Sequence, residues 1–156
     1  MLQTGQQAPR FTLPDADMQQ VGLASFLGRK AVVLCFYPRD NTPACAQQAA
    51  EFSDHDADFG ERDCVVFGVS RDDCLTHADF RDRHGLSIGL LSDVDGEVCR
   101  RYGVLQEREV DGVRCECVLR STFVIDKKGV IRHAAYGVSP RHHVSEVYDV
   151  VRNLKS

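Results

Sequence analysis

Cys45 occupies a position at which a thiol can act as a nucleophile. It follows Thr42, Pro43 and Ala44, where a polar loop gives way to a helical pattern. The unpaired N–H groups of a first helical turn carry about half a positive charge and stabilise an anion. Pro43 supplies a φ that suits a helix start, and the hydroxyl of Thr42 can cap the helix or donate a hydrogen bond. Because the thiolate is the reactive form of cysteine, we predict redox or nucleophilic chemistry at Cys45.

The elements that must position this loop have the pattern of an α/β protein. The apolar run "AVVLCFYP", ended by Pro38, is typical of a central strand buried on both faces. Strands alternate with helices along the rest of the chain, which predicts one domain over residues 1–156 with a mixed central sheet, flanking helices and an N-terminal β-hairpin. The other predicted elements are a helix from Cys45 to about Gly60, strands at 64–70 and 86–93, a helix from Asp72 and Asp73 to Gly85, a short helix before Gly103, a hairpin turning at Asp111-Gly112, and a last helix from Pro140.

Composition excludes several classes of protein. The 156 residues are 43% hydrophobic and 27% charged, with a net charge of -4, which gives no reason to expect a nucleic acid or an anionic membrane as partner. No apolar run approaches the roughly 20 residues that span a bilayer, and the N-terminus lacks a secretory signal pattern. We therefore expect a cytoplasmic protein, in which the seven cysteines are mostly thiols. Cys35 and Cys64 are interpreted as small hydrophobic core residues.

The loop around Cys45 also carries a family signature. "FYPRDNTPAC" resembles the active-site loop of the peroxiredoxins, in which a proline is followed after three residues by Thr or Ser and after two more by cysteine. Pro38, Thr42 and Cys45 match that pattern. The chain most resembles the bacterioferritin comigratory (PrxQ) subfamily, and the similarity covers nearly its whole length. Its further landmarks are "APRFTLPD", "VVFGVSRDD", "LLSD", "RSTFVID" and "YGVSPRHH".

The resemblance implies a thioredoxin-like fold and the reduction of hydroperoxides without a metal or cofactor. Cys45 would attack the peroxide and become a sulfenic acid. Thr42 would hydrogen-bond the sulfur and the peroxide, Pro38 would shield the site from water, and backbone N–H groups at Cys45 would add hydrogen bonds. Arg120, in "LRSTF", matches the family's arginine, a fixed cation that favours the thiolate and the departing oxygen. The implied partners are a hydroperoxide and a thiol reductant (thioredoxin, glutaredoxin or glutathione), and we expect a monomer.

The chain departs from the family in the cysteine that regenerates the active site. The two positions that carry this residue in relatives are occupied here by Ala50 and Arg81. An external thiol acting directly on Cys45 is the first candidate. Cys74, two helical turns before Arg81, is the second, and it could bond to Cys45 only if a helix end unravels. The remaining cysteines stay open as a third possibility.

The other candidate residues have simpler interpretations. Cys115 and Cys117 point to one face of a strand but lack the further ligands that zinc needs, so we interpret them as two packed thiols on a hairpin. Cys99 is expected at an apolar helix position, and His142 and His143 at the surface.

Two other functions use the same loop. A thiol–disulfide oxidoreductase would need a Cys-x-x-Cys motif, but position 48 is Gln48. A redox sensor or chaperone-like binding protein, in which oxidation of Cys45 changes shape or assembly, remains as an alternative. Only turnover with a reductant separates the sensor from a hydroperoxide reductase.

Overall fold

A five-stranded mixed sheet forms the centre of the molecule, whose computed structural model describes residues 1–139 and 143–154. Its strands, from one edge to the other, are β5 (Gly89–Ser92), β4 (Cys64–Ser70), β3 (Ala31–Phe36), β8 (Ser121–Ile125) and β9 (Ile131–Tyr136). The pairs β3–β4 and β4–β5 are parallel, whereas β3–β8 and β8–β9 are antiparallel. The mixed central sheet is therefore confirmed.

Two further pairs of antiparallel strands lie outside the central sheet. The predicted N-terminal hairpin consists of β1 (Thr12–Pro14) and β2 (Gln20–Gly22), followed by a 3-10 turn at Leu23–Phe26. The second hairpin consists of β6 (Leu105–Val110) and β7 (Val113–Val118). It turns at Asp111-Gly112, as predicted, with φ of 52° and 78°, a left-handed pair that Asp-Gly adopts readily.

Helices cover the central sheet, and both of its faces are buried. The helices are α1 (Pro43–Asp54), α2 (Asp56–Glu61), α3 (Cys74–His84), α4 (Glu97–Arg101) and α5 (His143–Arg152). Every residue of β3 is buried, as the continuous apolar run predicts. Val32, Leu34 and Phe36 pack in the cluster that contains residues of α4, and Val33 and Cys35 pack in the cluster beneath α1, α2, α3 and α5. Alternate residues of this one strand therefore join the two halves of the core.

The predicted start and end of α3 are confirmed. Asp73 caps its start, because its carboxylate accepts a hydrogen bond from the N–H of Thr76 at 2.8 Å. Gly85 ends it in the left-handed conformation, with φ of 62°, which costs glycine little because it has no Cβ. Capping chemistry therefore fixes both ends of this helix.

The expectation of one helix from Cys45 to Gly60 is wrong. The chain leaves helical torsions at His55, with φ of -103° and ψ of 6°, and α2 starts at the next residue. The N–H of His55 is shared between the carbonyls of Glu51 and Phe52, a tightening typical of a helix end. Phe52 and Phe59 are both fully buried, so the spacing that suggested one helix is satisfied by two.

The predicted strand at 86–93 is too long, because only its second half pairs. β5 begins at Gly89, which lies opposite Phe67 of β4. Before that point Ser87 is engaged with α1 instead: its N–H donates to the hydroxyl of Ser53 at 3.1 Å. The apolar residues Leu86 and Ile88 are buried without belonging to the strand.

The interpretation of Cys115 and Cys117 as two packed thiols is wrong for Cys115. Cys115 is exposed and Cys117 is half-buried. The reason is that β6 and β7 pair with each other and not with the central sheet, so most of β7 faces solvent. By contrast, Cys35, Cys64 and Cys99 are buried as predicted.

Two predictions remain, one on membrane spans and one on the C-terminal region. No helix in residues 1–139 and 143–154 is long and apolar enough to cross a bilayer. The predicted helix start at Pro140 and the surface positions of His142 and of the His143 side chain lie outside what the structure describes.

Candidate active site

Cys45 lies in the first turn of α1, which a loop over residues 37–42 connects to the C-terminal end of the central strand β3. Its side chain is buried, with 3% of the residue exposed. Thr42 is the N-cap of the helix, and its Oγ1 accepts a hydrogen bond from the N–H of Cys45 at 3.3 Å. The predicted cap is therefore confirmed. In this structure that N–H is directed to Thr42, and the hydrogen bonds expected from Thr42 to the sulfur and the peroxide stay predictions.

Arg120 supplies a cation next to the sulfur. It follows β7 and precedes β8, and its Nη2 donates a hydrogen bond to Sγ of Cys45 at 3.0 Å. The backbone carbonyl of Arg120 accepts from the N–H of Val138 at 2.9 Å, which fixes the chain from which the side chain projects. A guanidinium at this distance favours the thiolate and any negative charge that develops on an oxygen bound to it. Two residues 75 positions apart thus form one site.

Gln48 is a site residue that the sequence reasoning missed. Its Oε1 accepts a hydrogen bond from Nη1 of Arg120 at 2.5 Å, and only 3% of the residue is exposed. A guanidinium can only donate, so the amide oxygen must face it. Gln48 Nε2 then has no hydrogen-bond partner among the described residues. The sequence could have indicated Gln48, because a residue three positions after Cys45 lies on the same helical face.

Pro38 lies at the edge of the site. It is exposed and lines an open groove of about 710 Å³, together with Arg39 and residues of β7. The shielding of the sulfur by Pro38 stays a prediction. The inner side of Cys45 borders a cavity of only about 10 Å³, shared with Cys35 and Gln48, which is about the size of one water molecule.

A buried polar network holds the loop between β3 and α1. Asp40 in this loop accepts a hydrogen bond from the hydroxyl of Tyr37 at 2.6 Å and contacts Nδ1 of His77, in α3, at 2.6 Å. The other ring nitrogen of His77 lies 3.0 Å from the carbonyl oxygen of Leu91. A carbonyl only accepts, so Nε2 carries a proton. Both side chains of the Asp40–His77 pair are 0% exposed.

The same network also fixes the backbone of the loop. The N–H of Asp40 donates to Oδ2 of Asp72 at 2.7 Å, and the hydroxyl of Ser70 donates to the same oxygen at 2.7 Å. Burial and the neighbouring carboxylate of Asp40 raise the pKa of Tyr37, which keeps its hydroxyl protonated as a donor. The loop that precedes Cys45 is therefore attached to β4, β5 and α3.

The network is not assigned as a metal site. Ligand atoms of Asp40, Asp72 and His77 lie within 4.8 Å of one another. Each of these residues is already engaged in the hydrogen bonds just described, which account for their burial without a cation. We interpret the cluster as structural support for the Cys45 loop.

The two positions that carry the regenerating cysteine in relatives lie in different helices. Ala50 is half-buried in α1, and the half-buried Arg81 of α3 pairs with Asp17 at 3.0 Å and with Asp82 at 3.1 Å. Cys74 is half-buried at the first residue of α3. Its role as a resolving cysteine stays a prediction.

Three other thiols are held in their protonated form. Burial raises the pKa of Cys35 to about 12, although Thr122 and Arg120 act in the opposite direction. Burial also raises the pKa of Cys64 to about 12, and it raises that of Cys99 as well. Because the thiolate is the reactive form, these three cysteines are inert core residues.

Comparison with known proteins places the chain in a family. The AhpC/TSA family model matches residues 4–134. A putative peroxiredoxin of Mycobacterium tuberculosis is 43% identical over 146 residues, which cover 94% of this chain and 92% of that protein. A putative peroxiredoxin bcp of Coxiella burnetii is 38% identical over 146 residues, which cover 94% and 96%.

Solved structures agree with the sequence comparison. The structure of PrxQ from Xylella fastidiosa superposes with a TM-score of 0.90 at 28% identity, covering 97% of this chain and 96% of that one. The bacterioferritin comigratory protein of Xanthomonas campestris gives a TM-score of 0.86 at 27% identity, covering 91% and 90%. The fold is thus thioredoxin-like, as expected. With a cysteine at a helix start and a guanidinium on its sulfur, the chain belongs to the AhpC/TSA family as a peroxiredoxin of the bacterioferritin comigratory (PrxQ) type, and it is a thiol-dependent peroxidase.

Proposed function

We propose that Cys45 is the peroxidatic residue and that Arg120 and Thr42 activate it. The observation that carries this assignment is the 3.0 Å contact between Nη2 of Arg120 and Sγ of Cys45. It adds a full positive charge to the dipole of the α1 N-terminus at one sulfur, in a site that is largely closed to solvent. Both effects favour the anionic sulfur that attacks a peroxide.

The reaction is a displacement at oxygen. The thiolate of Cys45 attacks the terminal oxygen of the hydroperoxide, so that an S–O bond forms while the O–O bond breaks. The leaving alkoxide or hydroxide takes up a proton and departs as an alcohol or water. Arg120 is placed to stabilise the negative charge as it moves from sulfur to oxygen. The product on the protein is a sulfenic acid at Cys45.

The substrates are hydrogen peroxide and organic hydroperoxides, and the electrons come from an external thiol: thioredoxin, glutaredoxin or glutathione. Support for organic substrates comes from the Xanthomonas campestris relative, for which alkyl peroxide reduction activity is described. We propose further that the protein acts as a monomer in the cytoplasm. The odd count of seven cysteines fits a reducing compartment, which keeps most of them as thiols.

The test of Cys45 is a single-turnover measurement with hydrogen peroxide on fully reduced protein. Cys45→Ser should consume no peroxide, because no group in the site can ionise a serine hydroxyl at neutral pH. Cys74→Ser, a matched cysteine in α3, should consume one equivalent as the wild type does. Peroxide consumption by Cys45→Ser at the wild-type rate would overturn the assignment.

A thiol reductant distinguishes a peroxidase from the alternative, a redox sensor. A peroxidase consumes many equivalents of peroxide in the presence of thioredoxin and its reductase. A sensor or binding protein would stop after one equivalent per chain, with Cys45 oxidised.

A further inference from the structure

The sulfenic acid at Cys45 needs a thiol partner, and the structure limits the choice within the chain. Cys35, Cys64 and Cys99 are buried and protonated. The thiols that reach solvent are those of Cys74, Cys115 and Cys117. The partner must come from these three or from outside the chain.

Cys115 and Cys117 share a groove with the active-site loop. Both line the open groove of about 710 Å³ that Pro38 and Arg39 border on the other side. They lie two residues apart on β7, so their side chains point to the same face of the strand. Arg71 lines the groove as well, so that two arginines border it.

The chain itself connects this hairpin to the catalytic centre. Cys117 precedes Arg120 by three residues, so their Cα atoms lie at most about 11 Å apart. Arg120 in turn contacts the sulfur of Cys45 at 3.0 Å. Cys117 is therefore tied to the edge of the site, closer along the chain to the catalytic arginine than Cys115 is.

The tip of this hairpin is exposed, whereas its base packs on the core: Val118, next to Cys117, is 5% exposed. β6 and β7 pair only with each other among the described strands, and every residue from Glu107 to Glu116 whose burial is described is exposed. Segments with few buried contacts open at low cost in free energy. A disulfide requires Cα atoms within about 7 Å and a sulfur that can be reached, so the buried first turn of α1 that carries Cys45 must open toward the groove.

We propose that Cys117 is the resolving thiol of this peroxidase, a role that rests on the proposed function of Cys45. The thiolate of Cys117 attacks the sulfur of the Cys45 sulfenic acid; an S–S bond forms, the S–O bond breaks, and the oxygen leaves as water after taking up a proton. The external thiol reductant then reduces the Cys45–Cys117 disulfide by thiol–disulfide exchange and is itself oxidised to a disulfide. The exposed hairpin gives the reductant a point of attack that the buried sulfur of Cys45 lacks.

The test maps the disulfide after one equivalent of hydrogen peroxide. Wild-type protein, alkylated and digested without reduction, should give a linked peptide pair that contains Cys45 and Cys117. The double variant Cys115→Ser/Cys117→Ser should instead keep a sulfenic acid that a dimedone-type probe traps. Cys74→Ser is the control and should give the same linked pair as the wild type.

Turnover gives an independent readout. With thioredoxin as donor, the double variant should lose about tenfold or more in steady-state rate, while its single-turnover rate with peroxide stays within about twofold of the wild type. A disulfide from Cys45 to Cys74 or to Cys115, assigned by fragmentation of the linked peptide, or equal turnover of the double variant and the wild type, overturns the proposal. If the wild type itself consumes no peroxide, the proposed function fails instead, so the two failures are distinguishable.

Discussion

Arg120→Ala tests the electrostatic basis of the site. At the 3.0 Å separation between Nη2 and the sulfur, a full charge pair is worth at most about 5 kcal/mol with an effective dielectric constant of about 20. Arg120 is only half-buried, so solvent screens part of this interaction. Removal of one donor from such a site typically costs about 2.7–4 kcal/mol, which corresponds to a rate loss of about 10²–10³. We expect a loss in this range.

The assay is the second-order rate constant for hydrogen peroxide in single turnover, measured by competition with a haem peroxidase because the chain has no tryptophan. Arg120→Lys should lie between alanine and wild type, since a single ammonium group cannot bond the sulfur and Gln48 in the same planar geometry. Arg83→Ala is the control, because Arg83 is exposed and forms only a surface ion pair with Asp79.

The fold should survive the loss of the side chain, since the backbone bond from Val138 to Arg120 is independent of it. Circular dichroism and the thermal midpoint check this point. A natively folded Arg120→Ala protein that reacts with peroxide at the wild-type rate would refute the role of the guanidinium. It would leave the helix N-terminus alone to activate Cys45.

Three further predictions concern the groups around the site and the pH dependence of stability. Gln48→Leu should slow the peroxide reaction about tenfold or more through loss of the acceptor that orients Arg120, worth about 1–3 kcal/mol. Gln48→Glu should be slow as well, because its carboxylate keeps an acceptor but offsets the charge of Arg120 beside the sulfur. Asp40→Ala should lower the free energy of unfolding by about 3–5 kcal/mol in urea titrations, because it breaks a fully buried pair; Asp58→Ala, in an exposed pair with a histidine, should cost under about 1 kcal/mol. Burial lowers the pKa of His133, so a proton binds this histidine more tightly in the unfolded chain than in the folded one. The free energy of unfolding should therefore fall as the pH drops below about 6.5. A His133→Gln protein whose free energy of unfolding falls equally in this window would contradict the role of His133.

Local chemistry predicted much of the fold. The continuous apolar run of β3, the Asp73 cap and Gly85 stop of α3, and the Asp111-Gly112 turn all depend on neighbouring residues. The break at His55 could not be predicted, because the spacing of Phe52 and Phe59 suits one helix or two. A sequence pattern also cannot say which sheet a strand joins, so the exposure of Cys115 was missed.

Two kinds of site residue could be predicted: those close together in the sequence and those that the family resemblance implies. Thr42 and Cys45 follow from helix-start chemistry, while Arg120 came from the resemblance, since nothing in the spacing of the sequence joins positions 45 and 120. Gln48 could have been found from its position one turn after Cys45. Asp40 could not, because its partner His77 is 37 residues away in another element.

Both sides of the groove are held, but by different interactions, and this limits what can move in the catalytic cycle. Opening the Cys45 loop would separate Asp40 from Tyr37, His77 and Asp72 at once, and it would leave several buried polar groups without partners. The hairpin that carries Cys117 is held at its base, where Val118 packs in the core. Its exposed part has surface ion pairs, such as Arg114 with Glu107 at 3.7 Å. Because the network holds the loop and the core holds the base of the hairpin, movement during the reduction of Cys45 should be confined to the first turn of α1 and the exposed part of the hairpin.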